Sequence, residues 1–297
     1  MKIEYKVENN KYLNIKQLLK EYYLMSDRLI LKLKNSKQIY LNGKSVYVTA
    51  ALNLNDIVYI DLEFEEDNSN IVPIKMDLNI IYEDDYYIVI DKPAGIPVHP
   101  SASHYDNTLS NGLKYYFDTI SLHKKIRPVN RLDKDTSGIV IFAKSDYIQE
   151  CLIKQMKSGD FKKEYIAILD GILDENIGKI DAPISRKSDS IIEREISSLG
   201  DNAITYFEVI SHFNNFTLVS FKLETGRTHQ IRVHSKYISH PILGDTLYGK
   251  PSELIDRQAL HACRVEFIHP ILKEPVSYTS SLPKDIQKIL NIYNFKI

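Results

Sequence analysis

Apolar positions near the start of the chain recur at helical spacing. Ile15, Leu18, Leu19 and Tyr22 follow Asn14, and Ser26 stands as a cap before a second segment carrying Leu29, Ile30 and Leu33. The period then changes. In IYLNGKSVYV, residues 39–48, the Asn42-Gly43 pair separates two short β-prone runs and predicts a tight hairpin over 39–41 and 46–48. Residues 63–70, EFEEDNSN, interrupt the apolar pattern with acidic and polar positions, and Pro73 follows, so a linker and a domain boundary are expected there. Beyond it, LNIIY and YYIVI read as paired strands, and Leu109, Leu113 and Tyr116 as one face of a helix. Residues 148–156 read as a helix; 161–169, 204–213 and 216–223 as strands, with another strand inside 257–270; and 285–292 as a closing helix.

The densest pattern lies in residues 127–144, RPVNRLDKDTSGIVIFAK, where a polar turn runs through Gly138 into the apolar residues 139–143. Such a run predicts a strand buried on both faces, with the carboxylates before it fixed at its mouth. The whole is a strand-rich α+β arrangement, mixed and mainly antiparallel: a small helix-helix-hairpin domain over residues 1–70 and a large domain over 71–297.

Composition narrows the picture little. The formal net charge is −1 and the pI near 6.8, so any nucleic-acid partner must be held by local basic patches. Arg28, Lys32, Lys34, Lys37 and Lys44 fall on the second helix and the hairpin, either as one positive face or as ordinary solvated surface. The two cysteines, Cys151 and Cys263, lack zinc-site spacing and read as reduced thiols, which predicts a reducing cytoplasm. No apolar run approaches the roughly 18 residues of a membrane span, and the first residues lack a signal-peptide core.

Asp133 is the leading candidate for chemistry. A lone aspartate in a polar loop is usually a turn-former, but Arg131 beside it, and a distant arginine from the 227–232 region, could orient it as a nucleophile or base. Asp135, Thr136 and Ser137 are expected to shape the turn. Thr228 is expected to cap a helix carrying Gln230, Arg232 and Lys236. His229, His234 and His240 do not have the spacing of helical metal ligands, and no glycine-rich nucleotide pattern occurs.

DKPAGIPVHP (91–100), RLDKDTSGIVIFAK (131–144), KKEYIAILDG (162–171), LETGRTHQIRVH (223–234), HPILGDTLYG (240–249) and RQALHACRVEFIHP (257–270) occur in this order. Together they resemble the RluA-type family of RNA pseudouridine synthases, nearest to its members with an N-terminal RNA-binding domain. The first 70 residues resemble, more loosely, the small RNA-binding domain of a small-subunit ribosomal protein. The resemblance implies that Asp133 is the catalytic aspartate, Tyr165 the base-stacking tyrosine and Arg232 the arginine paired with the aspartate. It implies RNA contacts for Arg131 and Arg227, and for Arg28, Lys32 and Lys44 in the small domain. The reaction it implies moves uracil from an N1 to a C5 link on C1′, with Asp133 attacking C1′ or deprotonating C2′, and needs no cofactor and no metal. The implied partner is RNA, most of all large-subunit ribosomal RNA with transfer RNA as the alternative, acted on by a cytoplasmic monomer free of membrane and nucleotide cofactor. A non-catalytic RNA-binding protein on the same fold is the reading from another class. Asn130 departs from the family, where histidine is frequent, and its role is open. Deleting residues 1–70 is expected to weaken RNA binding and leave the rest folded.

Overall fold

A computed structural model describes residues 1–64, 66, 71–101, 104–293 and 295. The chain opens with β1 (Lys2–Lys6), α1 (Ile15–Gln17) continued by a π-helical turn at Leu18–Tyr22, α2 (Asp27–Asn35), β2 (Ile39–Leu41), β3 (Lys44–Ser45) and β4 (Ile57–Asp61). The strands pair in the order β1-β4-β2-β3. Helix-helix-hairpin is therefore only part of this module, because β1 and β4 complete its sheet.

The hairpin is also shorter than its sequence suggests. Val46 N still reaches the Ile39 carbonyl at 3.0 Å, but residues 47–48 leave the ladder as the backbone turns to serve α1, whose orphan N–H groups need acceptors. Lys16 N donates to the Val48 carbonyl at 2.8 Å and Ile15 N to that of Ala50 at 3.1 Å. Asn14 supplies the remaining cap, its Oδ1 accepting from Gln17 N at 3.0 Å.

The larger part continues with β5 (Asn79–Glu83), β6 (Tyr87–Lys92), α3 (Leu109–Thr119), β7 (Arg127–Pro128), β8 (Ser137–Ala143), α4 (Asp146–Ser158), β9 (Lys162–Asp170), β10 (Ile177–Asp181), β11 (Ile184–Arg186) and β12 (Arg194–Ile196). It closes with β13 (Ile204–Phe213), β14 (Phe216–Leu223), α5 (Gln230–Tyr237), β15 (Leu260–Ile268), β16 (Pro275–Thr279) and α6 (Lys284–Ile292). One long sheet runs β10-β13-β14-β9-β15-β8-β6-β5, with β16 on β15 and β7 on β8, while β11 and β12 form a separate ribbon. Pairing is antiparallel except where β15 meets β8 in parallel.

Every residue of β8 is buried, and its two faces serve different cores. Val140 and Phe142 pack with Ile88 and Ile90 of β6 and with Leu109, Leu113 and Phe117 of α3. Ile139, Ile141 and Ala143 pack with Tyr87 and Val89, with Tyr147, Ile148 and Leu152 of α4, and with Ile15, Leu18, Leu29 and Leu33 of the N-terminal module. The period-two alternation of a strand thus separates two apolar clusters. At its start, Gly138 has φ +113°, and a Cβ there would lie 2.2 Å from the Ala262 carbonyl oxygen, so the parallel contact with β15 requires glycine.

The shared cluster revises one expectation. The N-terminal module is not merely tethered, because it covers one face of the long sheet. Tyr147 Oη donates to the Tyr23 carbonyl at 2.9 Å, and Lys154 Nζ to that of Leu24 at 2.7 Å. Removing the module uncovers α4 and that face of β8. Residues 65 and 67–70 of the expected linker lie outside the described residues. Its acidic neighbours are engaged: Glu63 meets Lys124 at 3.0 Å, and Glu66 accepts from Arg127 Nη1 at 2.8 Å. Among the described residues no helix is long and apolar enough to cross a membrane.

Candidate active site

The loop before β8 is fixed from several directions. Asn130 is buried, and its side chain works as a piece of extra strand: Nδ2 donates to the Ile139 carbonyl and Oδ1 accepts from Ile141 N, both at 2.9 Å. The position that departs from the family pattern is therefore a pin between loop and strand. Lys92, fully buried at the end of β6, donates to the carbonyls of Lys134 (2.9 Å), Pro93 (2.8 Å) and Ile96 (2.8 Å). Burial pulls its pKa down to about 7, against the opposing pull of Asp135. Arg257 donates to the Asp135 carbonyl at 3.0 Å and to Ser137 Oγ at 3.3 Å, while Asp285 of α6 grips its other edge at 2.7 and 3.0 Å. Asp135 shapes the turn through its carbonyl, and Thr136 closes it with N–H donation to the Asp133 carbonyl at 3.1 Å.

Asp133 emerges from this frame a quarter exposed and accepts from Arg232 Nη1 at 3.1 Å. Arg232 lies in the first turn of α5, which is docked by Gln230: its Nε2 donates to the Ile204 carbonyl and Thr205 Oγ1, both at 3.0 Å. Thr228 does not cap this helix. The N-cap is His229, held at φ +58°, and Gln230 Oε1 takes the Arg227 N–H at 2.9 Å instead.

Asp245 and Tyr248, which the sequence reading did not single out, and His229, weighed there only as a metal ligand, complete the arrangement. Asp245, wholly buried, accepts from Arg232 Nε at 2.7 Å and Nη2 at 2.9 Å, and from the N–H groups of Leu247 and Tyr248 at 3.0 and 3.2 Å. Burial opposes the charge on Arg232, but hydrogen bonds and charge from Asp245, then from Asp133, outweigh it and push its pKa up. The guanidinium is thus locked on one carboxylate and aimed at another. His229 Nε2 stands 3.9 Å from Asp133 Oδ1, and its Nδ1 is 2.9 Å from Tyr248 Oη. Burial lowers the His229 pKa despite the nearby Asp133, so the ring is neutral at pH 7. A single aspartate in a turn, a histidine set aside as a metal ligand and one of 20 tyrosines offered no local signal.

Tyr165 sits on β9 between β14 and β15, 7% exposed, and burial followed by the charge of Asp133 raises its pKa, so the phenol stays protonated. Asp133, Tyr165, Arg131, Arg227, His229 and Arg232 all line one open cleft. Arg131 and Arg227 are exposed at its edge. Arg28, Lys32 and Lys44 lie away from it on the N-terminal module, where Arg28 and Lys44 are exposed. Lys32 is partly exposed, its Nζ 3.5 Å from the Phe64 ring centre and 3.5 Å from the Asp146 carboxylate. The cleft combines an oriented carboxylate, a neutral phenol and flanking guanidinium groups, a set able to take a planar ring carried on an anionic chain.

The family model for RNA pseudouridylate synthase matches residues 86–237, a span holding Asp133, Tyr165 and Arg232. The chain belongs to this family. It is an RNA pseudouridine synthase of RluA type, an isomerase. The uncharacterized RNA pseudouridine synthase YjbO of Bacillus subtilis is 37% identical to it over 267 residues, covering 90% of this chain and 94% of that one. Ribosomal large subunit pseudouridine synthase D of Yersinia pestis is 35% identical over 269 residues, covering 86% and 82%. Among solved structures, human RNA pseudouridylate synthase domain containing 4 superposes with a TM-score of 0.61 at 22% identity, over 74% of this synthase and 94% of that chain, a likeness of fold.

Proposed function

We propose that this synthase converts a uridine of large-subunit ribosomal RNA to pseudouridine with Asp133 as its catalytic carboxylate. The observation that carries the proposal is the Asp245–Arg232–Asp133 array at the floor of a cleft whose wall is Tyr165. The ribosomal substrate is supported by relatives named as large-subunit synthases. The target base leaves its stack, at a cost of a few kcal/mol, and lies against Tyr165 while Arg131 and Arg227 meet the surrounding backbone. Asp133 then attacks C1′ or removes the C2′ proton, the N1 link breaks, the uracil turns, and C5 joins C1′ as the Asp133 carboxylate leaves it or the C2′ proton is returned. C5 finally gives up its proton to solvent and N1 takes one up, with the neutral Tyr165 hydroxyl as the proposed relay. Nothing is oxidised or lost, so the residues suffice without a cofactor. The enzyme acts as a cytoplasmic monomer, with residues 1–70 as its RNA-binding module, where Arg28 and Lys44 offer exposed cations, and 71–297 as its catalytic domain.

Incubation with RNA tritiated at uracil C5 tests this reading. Transcribed large-subunit RNA should release tritium and gain pseudouridine without free uracil, and Asp133→Asn should release none. Release from transfer RNA alone would move the substrate assignment. Binding without release would mark a non-catalytic RNA-binding protein, and an active Asp133→Asn would remove Asp133 from the chemistry.

A further inference from the structure

Lys163 stands in an unusual position. Side chains two apart on a strand share a face, so Lys163 and Tyr165 of β9 project to the same side, about 7 Å apart along the strand. Lys163 is half-buried, and its Nζ lies against the loop that carries Arg227 into the cleft: a Cβ on Gly226 would be only 2.9 Å from it. Among the described residues it has no carboxylate and no side-chain hydrogen-bond partner, and burial lowers its pKa with nothing opposing. Its neighbours do not neutralise it. Glu164, beside it on β9, and Glu266, the ladder partner of Lys162, project from the opposite face of the sheet. On that same face Leu223, which follows the Lys222 paired with Glu164, lines the cleft beside Tyr165.

An ammonium taken part-way out of water without a counter-charge costs free energy that an arriving anion restores. The base is neutral, so the anion that reaches this rim with it is the phosphodiester. We infer that Lys163 is a backbone-phosphate subsite, which holds the RNA strand beside the uridine seated on Tyr165. This rests on the reading of Tyr165 as the base platform. It separates two tasks on one strand: Tyr165 takes the base, and Lys163 fixes the chain from which the base has swung.

The test uses the full-length protein and total RNA, tritiated at uracil C5, from a strain lacking it, which holds the substrate whichever RNA that is. Single-turnover tritium release is followed against enzyme concentration at several potassium chloride concentrations. Lys163→Met should raise the half-saturating enzyme concentration about tenfold and flatten its log–log salt slope by about 0.7 to 0.9, the share of one phosphate contact. The maximal rate should stay within about threefold of wild type, as expected for loss of uniform binding. Lys163→Arg should restore both. Lys163→Gln, which keeps a polar head without the charge, should flatten the slope by a similar amount and covers the case in which Lys163→Met does not fold. Unchanged slopes in Lys163→Met and Lys163→Gln overturn the inference. So does a collapsed maximal rate at unchanged slope, which would make Lys163 a proton-transfer group. Asp133→Asn, measured by RNA retention, should keep the wild-type slope, so failure of the catalytic assignment reads out separately.

Discussion

Asp245 offers the most demanding check on the site, because it touches no substrate and yet governs how Arg232 is aimed. Its carboxylate is fully buried and accepts four hydrogen bonds, two from a guanidinium that is itself only 9% exposed. Asp245→Ala leaves Arg232 charged, enclosed and short of its partner, a loss of about 3 to 5 kcal/mol for a broken buried pair. At roughly 2 to 4 °C per kcal/mol for domains of this size, thermal unfolding should fall by about 6 to 20 °C. Asp245→Asn keeps an acceptor for the Leu247 and Tyr248 N–H groups and should lose less. Asp133→Asn removes only the quarter-exposed end of the array, which should change stability by no more than about 1 kcal/mol while abolishing turnover. Calorimetry and tritium release on the same preparations separate the cases: Asp245 variants lose stability and rate together, Asp133→Asn loses rate alone. An Asp245→Ala protein that melts with wild type and turns over normally would refute the account of how Arg232 is held.

Three further outcomes follow from the frame around the site. Asn130→Ala should cost about 1 to 3 kcal/mol in urea unfolding, the penalty for a buried donor and acceptor left unmet on β8. For Asp285, burial alone would raise the carboxyl, but hydrogen bonds and charge from Arg257 hold its pKa below the ordinary 3.8. The folded chain then binds fewer protons there than the unfolded one, so this stability is full above that value and is lost as pH falls through it; Asp285→Asn should flatten the acid limb of unfolding free energy measured from about pH 6 to about pH 3. Residues 71–297 expressed alone should bind the dye that reports exposed apolar surface and unfold without a sharp transition, since Val89, Ile139, Ile141 and Tyr147 lose their cover; a sharp, wild-type melt would show that the N-terminal packing contributes little.

Where local pattern alone dictates structure, the sequence was readable. β13 and β14 follow their apolar runs to the residue, and residues 139–143 read as doubly covered because a continuous apolar run has no polar face to offer water. β1 and β4 were missed although Lys2, Glu4 and Lys6 alternate with Ile3, Tyr5 and Val7 in strand fashion, because the partner that completes each lies more than fifty residues away. Residues 47–48 misled because their β propensity lost to the carbonyl demand of α1. The RluA-type motifs located Asp133 and Arg232, but their pairing joins residues 99 apart in sequence, and Asp245 became visible only once both were in place. Lys32 shows the converse: charge on a helix is legible, and the ring and carboxylate it meets are not.

Because β8 is the common wall of two apolar clusters, its amides have no small opening motion available to them. Exchange of their hydrogens for deuterium should proceed only through global unfolding, at the slowest rates in the molecule. The turn carrying Asp133 is bolted to that wall by Asn130. On heating, the catalytic geometry should therefore persist to within a few degrees of the melt and then vanish with it, and activity should fall as a step in temperature where many enzymes lose it gradually.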